Sequence, residues 1–205
     1  RDAQESRGLG DVYKRQLLLV GLGNPGSNSV NNRHNIGFKI IDAVNAHFKL
    51  SKQKPKFKGL LTTGNIESKK IYAIKPLTFM NNSGTAIKEL IDYFKIDAKD
   101  VFVFHDDMDI DFGKIKAKFG GSSAGHNGIN SIDKFIGKDY SRIRIGIGHP
   151  KQKNKVNNHV LEDFKEDEEE KIKEIAENIV KLIPTLIEKK MDLFSSKVNQ
   201  NLNGV

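Results

Sequence analysis

Seven polar side chains stand beside Gly-, Pro- and Asn-rich stretches of this 205-residue chain: Asn24, His34, Asn81, Asp106, Asp109, His126 and Asn127. An imidazole titrates near neutral pH and can take a proton from water, which is worth about 10²- to 10⁴-fold in rate. A carboxylate on the other ring nitrogen fixes the tautomer and stabilises the imidazolium. Carboxamides both donate and accept, so they can hold peptide amides, a water or a developing oxyanion. Together these groups suit water-mediated acyl transfer. The chain has no Cys, no Ser in a nucleophile-elbow pattern and no HExxH spacing. His105, Asp106 and Asp109 could in principle share a metal, but this is the weaker reading of that stretch.

Plainer readings stand beside these. His34 alone could be a solvated loop histidine, Asp106 could cap a turn, and each Asn could be a turn former. His126 could hold its loop, His105 could be partly buried, and His47, His149 and His159 could be structural or solvated. Met80 could be core or contact. Gly21-x-Gly23-x-x-Gly26 fits a dinucleotide-binding pattern, which requires a helix opening at the third glycine. Ser27 to Asn32 is polar without helical period, and Pro25 removes an amide, so a catalytic loop fits better.

The elements that must carry these residues alternate along the chain. Residues 17 to 21 read as a buried strand ending in glycine, and Gly37 to Phe48 as a helix with Phe38, Ile41, Val44 and Phe48 on one face. Lys52, Lys54, Lys56 and Lys58 suggest a solvated basic loop. Leu60 to Ile66 and Lys70 to Ile74 read as paired strands, and Ile87, Leu90, Ile91 and Phe94 as one face of a helix. Val101 to Phe104 is a strand running into a loop at residues 105 to 109. Lys114 to Phe119 and Ser141 to Gly148 alternate, placing Lys116, Lys118, Arg142 and Arg144 on exposed strand faces. A short helix with Ile129, Ile132, Phe135 and Ile136 lies between them. This order predicts an α/β fold: one domain with a mixed, mostly parallel twisted sheet covered by helices on both faces.

An apolar fraction of 37% and a charged fraction of 29% suit a globular protein with a proper core. No run approaches the roughly 20 apolar residues of a membrane span. A net charge of +8 makes an anionic partner plausible. Residues 1 to 16 lack an initiating Met, an apolar run and periodicity, and read as a non-native leader. Glu162 to Glu174 carries eight acids against three lysines. It reads as the start of an amphipathic helix bearing Ile172, Ile175, Ile179, Leu182, Ile183 and Leu186, with Pro184 as kink or stop. The domain is expected to end near residue 195, with a flexible tail over 196 to 205.

Five blocks in order carry a resemblance: GLGNPG with RHNIGF, KPLTFMNNSG, HDDMD, GGSSAGHNG and RIRIGIGHP. They are similar to those of the bacterial peptidyl-tRNA hydrolase family, over residues 17 to about 195 by block position. The resemblance implies hydrolysis of the ester joining a peptide to the 3′ end of tRNA. It further implies a cytoplasmic, monomeric α/β enzyme needing neither cofactor nor metal, with peptidyl-tRNA as its partner and no membrane association. Carried over, His34 is the general base and Asp106 its orienting carboxylate. Asn24, Asn81 and Asn127 bind the peptide end and position water, and Met80 packs beside the terminal nucleotide or peptide. Lys118 and Arg144 match a clamp for the tRNA 5′-phosphate, with Lys116 and Arg142 as supporting charge.

Ser29 and Asn32 depart from the family pattern in the first loop, as do Ser122 and Ala124 where glycines are usual. These changes bear on loop shape rather than chemistry. The rival readings are an RNA-binding module of the same fold without turnover and, further off, a dinucleotide oxidoreductase.

Overall fold

A computed structural model describes residues 16–150 and 156–204. The first fifteen residues, on which most of the leader expectation falls, lie outside the described residues. Gln16, the last residue of the expected leader, opens strand β1 (Gln16–Gly21) and pairs with Lys70. Six further strands follow: β2 (Lys54–Lys56), β3 (Gly59–Ile66), β4 (Lys69–Pro76), β5 (Val101–Asp107), β6 (Ile115–Phe119) and β7 (Ser141–Gly146). They form one sheet in the order β2-β3-β4-β1-β5-β7-β6. β4, β1, β5 and β7 run parallel, whereas β2–β3, β3–β4 and β6–β7 are antiparallel pairs. Only β3 and β6 therefore point against the other described strands.

β1 shows why the sheet is covered on both sides. Leu17 and Leu19 enter one core, while Leu18 and Val20 enter the other. A strand with apolar residues at every position needs helices above and below it. α1 (Ile36–His47), α5 (Glu166–Lys181), α6 (Ile183–Ile187) and α7 (Met191–Asn203) cover the first face. α2 (Ser83–Phe94) and α3 (Asn127–Ile136) cover the second. A single turn, α4 (Val156–His159), precedes the acidic stretch. Glu166, Asp167, Glu168 and Glu169 fill the first turn of α5, where carboxylates suit the helix dipole. Among the described residues, no helix is long and apolar enough to cross a membrane.

Three expectations need correction. The lysine run is not simply a loop, because Lys54–Lys56 pairs with β3 as a short exposed edge strand. Three exposed residues carry no burial alternation, so only the partner strand makes them β; lysines are what such an edge tolerates. β5 also runs on through Asp107 in register with β7, so His105 and Asp106 are strand residues rather than loop residues. Finally, residues 196 to 203 are not a flexible tail but continue α7.

α7 closes the open edge of β6. Asn199 accepts from the Ile115 amide at 2.9 Å and donates to its carbonyl at 2.8 Å, and Ser195 Oγ accepts from the Ala117 amide at 2.8 Å. Side chains thus replace the missing neighbouring strand. Phe194 and Val198 anchor the helix, with no exposed surface. Phe194→Ala is expected to cost about 3–5 kcal/mol, read as a lower denaturant midpoint at unchanged slope. A change below about 1 kcal/mol would mean that α7 is not part of the cooperative unit.

Candidate active site

The site lies at the carboxyl ends of β1, β4 and β5, where α/β sheets form a crevice as the chain switches direction about a central strand. α1 begins unusually close to these ends. A Cβ on Gly37 would lie 2.3 Å from the Leu22 amide nitrogen and 2.4 Å from the Phe104 carbonyl oxygen. Only glycine permits that approach. The 3₁₀ turn Arg33–Asn35 ahead of α1 is thereby brought over the end of β5.

His34 Nδ1 lies 2.7 Å from Asp106 Oδ1, and His126 Nε2 lies 3.0 Å from the same oxygen. His34 is 7% and Asp106 2% exposed. The protons follow from the neighbours. His126 Nδ1 accepts from the amides of Gly128 (3.1 Å) and Ile129 (3.3 Å), capping α3, so the ring carries its proton on Nε2 and donates it to Asp106. An ionised Asp106 is acceptor-only, so His34 also donates from Nδ1. That leaves a lone pair on His34 Nε2, the nitrogen remote from Asp106.

Burial pushes the His34 pKa down, but the Asp106 charge and hydrogen bond outweigh it and the net direction is up from 6.5. Burial would raise Asp106, and the two imidazoles facing it more than reverse this, holding it well below the usual carboxylate range. His105 donates from Nδ1 to the Asp106 carbonyl (2.7 Å) and packs edge-on against His126. Burial first, then His126, keeps its pKa far below the ordinary value.

Among the described residues, His34, Asp106 and His126 form a group tight enough for a cation, with donor atoms within 4.8 Å of one another. The His105–Asp106–Asp109 trio suggested by the sequence is not that group. A cation would need the His126 Nε2 lone pair while two amides hold Nδ1, hence loss of the only ring proton. The donor chemistry fits a hydrogen-bonded array instead.

Asn24 is held from two sides. Its amide donates to Asn35 Oδ1 (2.8 Å) and its carbonyl accepts from Asn35 Nδ2 (2.9 Å). Its side-chain Oδ1 accepts from the Met80 amide at 2.9 Å, which directs Nδ2 elsewhere. Asn24, Met80, Asn81, Phe79, Val160 and Leu161 line a cavity of about 490 Å³ together with His34 and Asn127. His34, Asn127 and Val160 also line a second cavity of about 200 Å³, walled by Asp106, Asp107, Asp109, Ser123 and His126. Met80 is both core and lining. A Cβ on Gly128 would lie 2.5 Å from its sulfur, so glycine again sets how closely α3 approaches. Ala124 takes φ 48°, a left-handed conformation that glycine adopts without strain.

The structure therefore brings together Asn24, His34, Met80, Asn81, Asp106 and Asn127 from distant segments. It adds residues that sequence reasoning missed: Asn35 as the partner of Asn24, the exposed Phe79, and the Val160–Leu161 pair. His126 reads from the sequence either as one of the polar groups at the strand ends or as a loop holder, and nothing in its spacing announces a bond to Asp106.

The basic residues divide. Lys116 pairs in register with Arg144, and Lys118 with Arg142, on one face of the sheet. Arg142 is not exposed as alternation predicted: it is 1% exposed, ion-paired with Asp133 of α3 at 2.7 Å and donating to the Ser122 carbonyl. α3 covers that part of the strand, which strand periodicity cannot reveal. Arg144 Nε reaches Asp107 at 2.6 Å. Lys116 is exposed and Lys118 half-buried. Burial, then the charges of Arg144 and Arg142, lowers the Lys118 pKa, marking cationic crowding that an anion would relieve.

The family model described as peptidyl-tRNA hydrolase matches residues 18–204. A peptidyl-tRNA hydrolase of Pelagibacter ubique is 72% identical over 183 residues, covering 89% of this chain and 98% of the relative. That of Bartonella henselae is 45% identical over 187 residues, covering 91% and 97%. The crystal structure of the Acinetobacter baumannii peptidyl-tRNA hydrolase superposes with a TM-score of 0.84 at 33% identity, covering 90% of this chain and 95% of that one.

Proposed function

The chain belongs to the peptidyl-tRNA hydrolase family and hydrolyses peptidyl-tRNA, and from that premise we propose how its own residues do so. The carrying observation is the 2.7 Å contact between His34 Nδ1 and Asp106 Oδ1, which leaves Nε2 as the free base. His34 Nε2 takes a proton from a water that attacks the ester carbonyl. Asp106 remains ionised and steadies the imidazolium that forms. Asn24 Nδ2 and the Asn127 carboxamide supply donors for the peptide and the developing oxyanion, with Asn81 and Met80 lining the peptide's path. Collapse expels the tRNA 3′-oxygen, which recovers the proton from His34. The products are a free peptide acid and a tRNA 3′-hydroxyl. This returns tRNA from stalled or aborted translation.

On this reading the enzyme is a cytoplasmic monomer working without cofactor. The substrate arises where ribosomes work. The test is release of the blocked amino acid from N-acetyl-aminoacyl-tRNA, with free aminoacyl-tRNA as control, by wild type and His34→Ala. Cleavage of only the blocked substrate supports the reading. Binding of tRNA without turnover by wild type would favour a binding module.

Lys118 and Arg144 form the clamp for the tRNA 5′-phosphate and Lys116 adds field, while Arg142 braces this face from beneath. Arg144 spends Nε on Asp107, so its outer Nη edge is the one a phosphate would meet. Lys118→Ala combined with Arg144→Gln, which can still donate to Asp107, is expected to weaken tRNA binding. The slope of log Kd against log salt should fall by roughly one for each phosphate no longer neutralised. A wild-type slope would remove these residues from the clamp.

A further inference from the structure

We propose that Arg33, acting with Glu168, is a positioning residue that sets the cleft wall at Val160–Leu161 against His34. The proposal rests on the hydrolase reading above and concerns how that site grips its substrate.

Residues 31 to 34 and 160 to 164 run antiparallel at the rim. Arg33 N donates to Glu162 O (3.0 Å), His34 N to Val160 O (2.8 Å) and Phe164 N to Asn31 O (3.1 Å), with a bridge between Asn32 and Asp163. Arg33 adds its side chain to the same segment. Arg33 is 4% exposed, and its guanidinium donates to Asp163 O at 2.8 Å, Glu162 O at 3.3 Å and Glu168 Oε2 at 2.7 Å. Its carbon lies 5.4 Å from the centre of the Phe164 ring. The same Glu168 oxygen accepts from the Lys165 amide at 2.8 Å, capping α5. One carboxylate oxygen thus ties the start of α5 to the residue preceding His34.

Position turns this bond set into a functional one. Val160 lines both cavities, and Leu161 lines the larger while 52% exposed. The His34 main chain shares the bond to Val160 O, but its imidazole is held from β5 through Asp106, which in turn is held by His126 of the α3 cap. Loosening Arg33 should therefore move the wall without disturbing the base. Lys39–Glu169 at 3.0 Å is a second tether between α1 and α5, which keeps the helix seated when the first is weakened.

Arg33→Lys keeps a cation but not the fork, and Glu168→Gln keeps an acceptor but not the charge. With N-acetyl-aminoacyl-tRNA, Arg33→Lys is expected to raise KM about tenfold with kcat within about twofold. Glu168→Gln should raise KM by about threefold, and the double variant should be no worse than Arg33→Lys, since both changes cut one link. The acidic limb of the kcat/KM–pH profile should not move. A fall in kcat at constant KM, a shifted limb, or wild-type kinetics in folded variants would overturn the proposal. If circular dichroism shows Arg33→Lys unfolded, Glu168→Gln decides alone. His34→Ala, run alongside, separates the two ideas: turnover surviving there would sink the base assignment, whereas the wall is judged on KM.

Discussion

His34→Ala is expected to lower kcat on N-acetyl-aminoacyl-tRNA by about 10²- to 10⁴-fold, the range lost with a positioned general base. Affinity for deacylated tRNA should stay close to wild type, because Lys116, Lys118 and Arg144 are not among the residues that line either cavity with His34. The loss should appear in kcat and kcat/KM together, as for a group engaged only in the transition state. Residual activity should remain, since the carboxamides still orient the ester. Single-turnover hydrolysis with enzyme in excess measures this directly. A loss below about fivefold would place the base elsewhere.

Asp106→Asn should be comparably severe, on the order of 10⁴-fold where such a change reverses the imidazole tautomer. Both His34 Nδ1–H and His126 Nε2–H point at one oxygen of Asp106. An amide can turn its N–H₂ toward His34, which then accepts at Nδ1, carries its proton on Nε2 and ceases to be a base. With the amide oxygen kept in place both N–H bonds survive, but the charge that steadies the imidazolium is lost. The pH profile gives a second readout with a definite sign. In wild type the Asp106 carboxylate raises the His34 pKa above 6.5, so the acidic limb of kcat/KM should fall above that value. With the charge removed, burial alone remains, and it lowers the pKa; the limb should move to lower pH while the plateau drops. A limb that stays in place would mean that another group is titrating.

Much of the fold was legible because its signals are local. The apolar run at Leu17–Val20 predicts a strand buried on both faces, and Leu18 and Val20 do face a different core from Leu17 and Leu19. Ile172, Ile175 and Ile179 recur at helical spacing and lie in the core through α5, with Pro184 near the start of α6. Where the reading failed, the deciding partner was distant. α7 is weakly patterned and is held by Phe194, Val198 and the β6 edge. Arg142 obeys strand alternation, yet α3 lies over it and Asp133 meets its charge.

The sequence by itself determined the chemical inventory: an imidazole, carboxylates and carboxamides beside glycine-rich strand ends, and an α/β order of elements to carry them. Only the tertiary structure decided which of them meet. It placed His126 on the same oxygen as His34, Asn35 against Asn24, and Arg33 across the rim on Glu168. Residue types and periodicities follow from neighbours a few positions apart. A hydrogen bond between residues 72 or 135 positions apart, such as His34–Asp106 or Arg33–Glu168, depends on where whole elements pack. Packing is set by shape and burial summed over the core, for which no single stretch of sequence carries the signal.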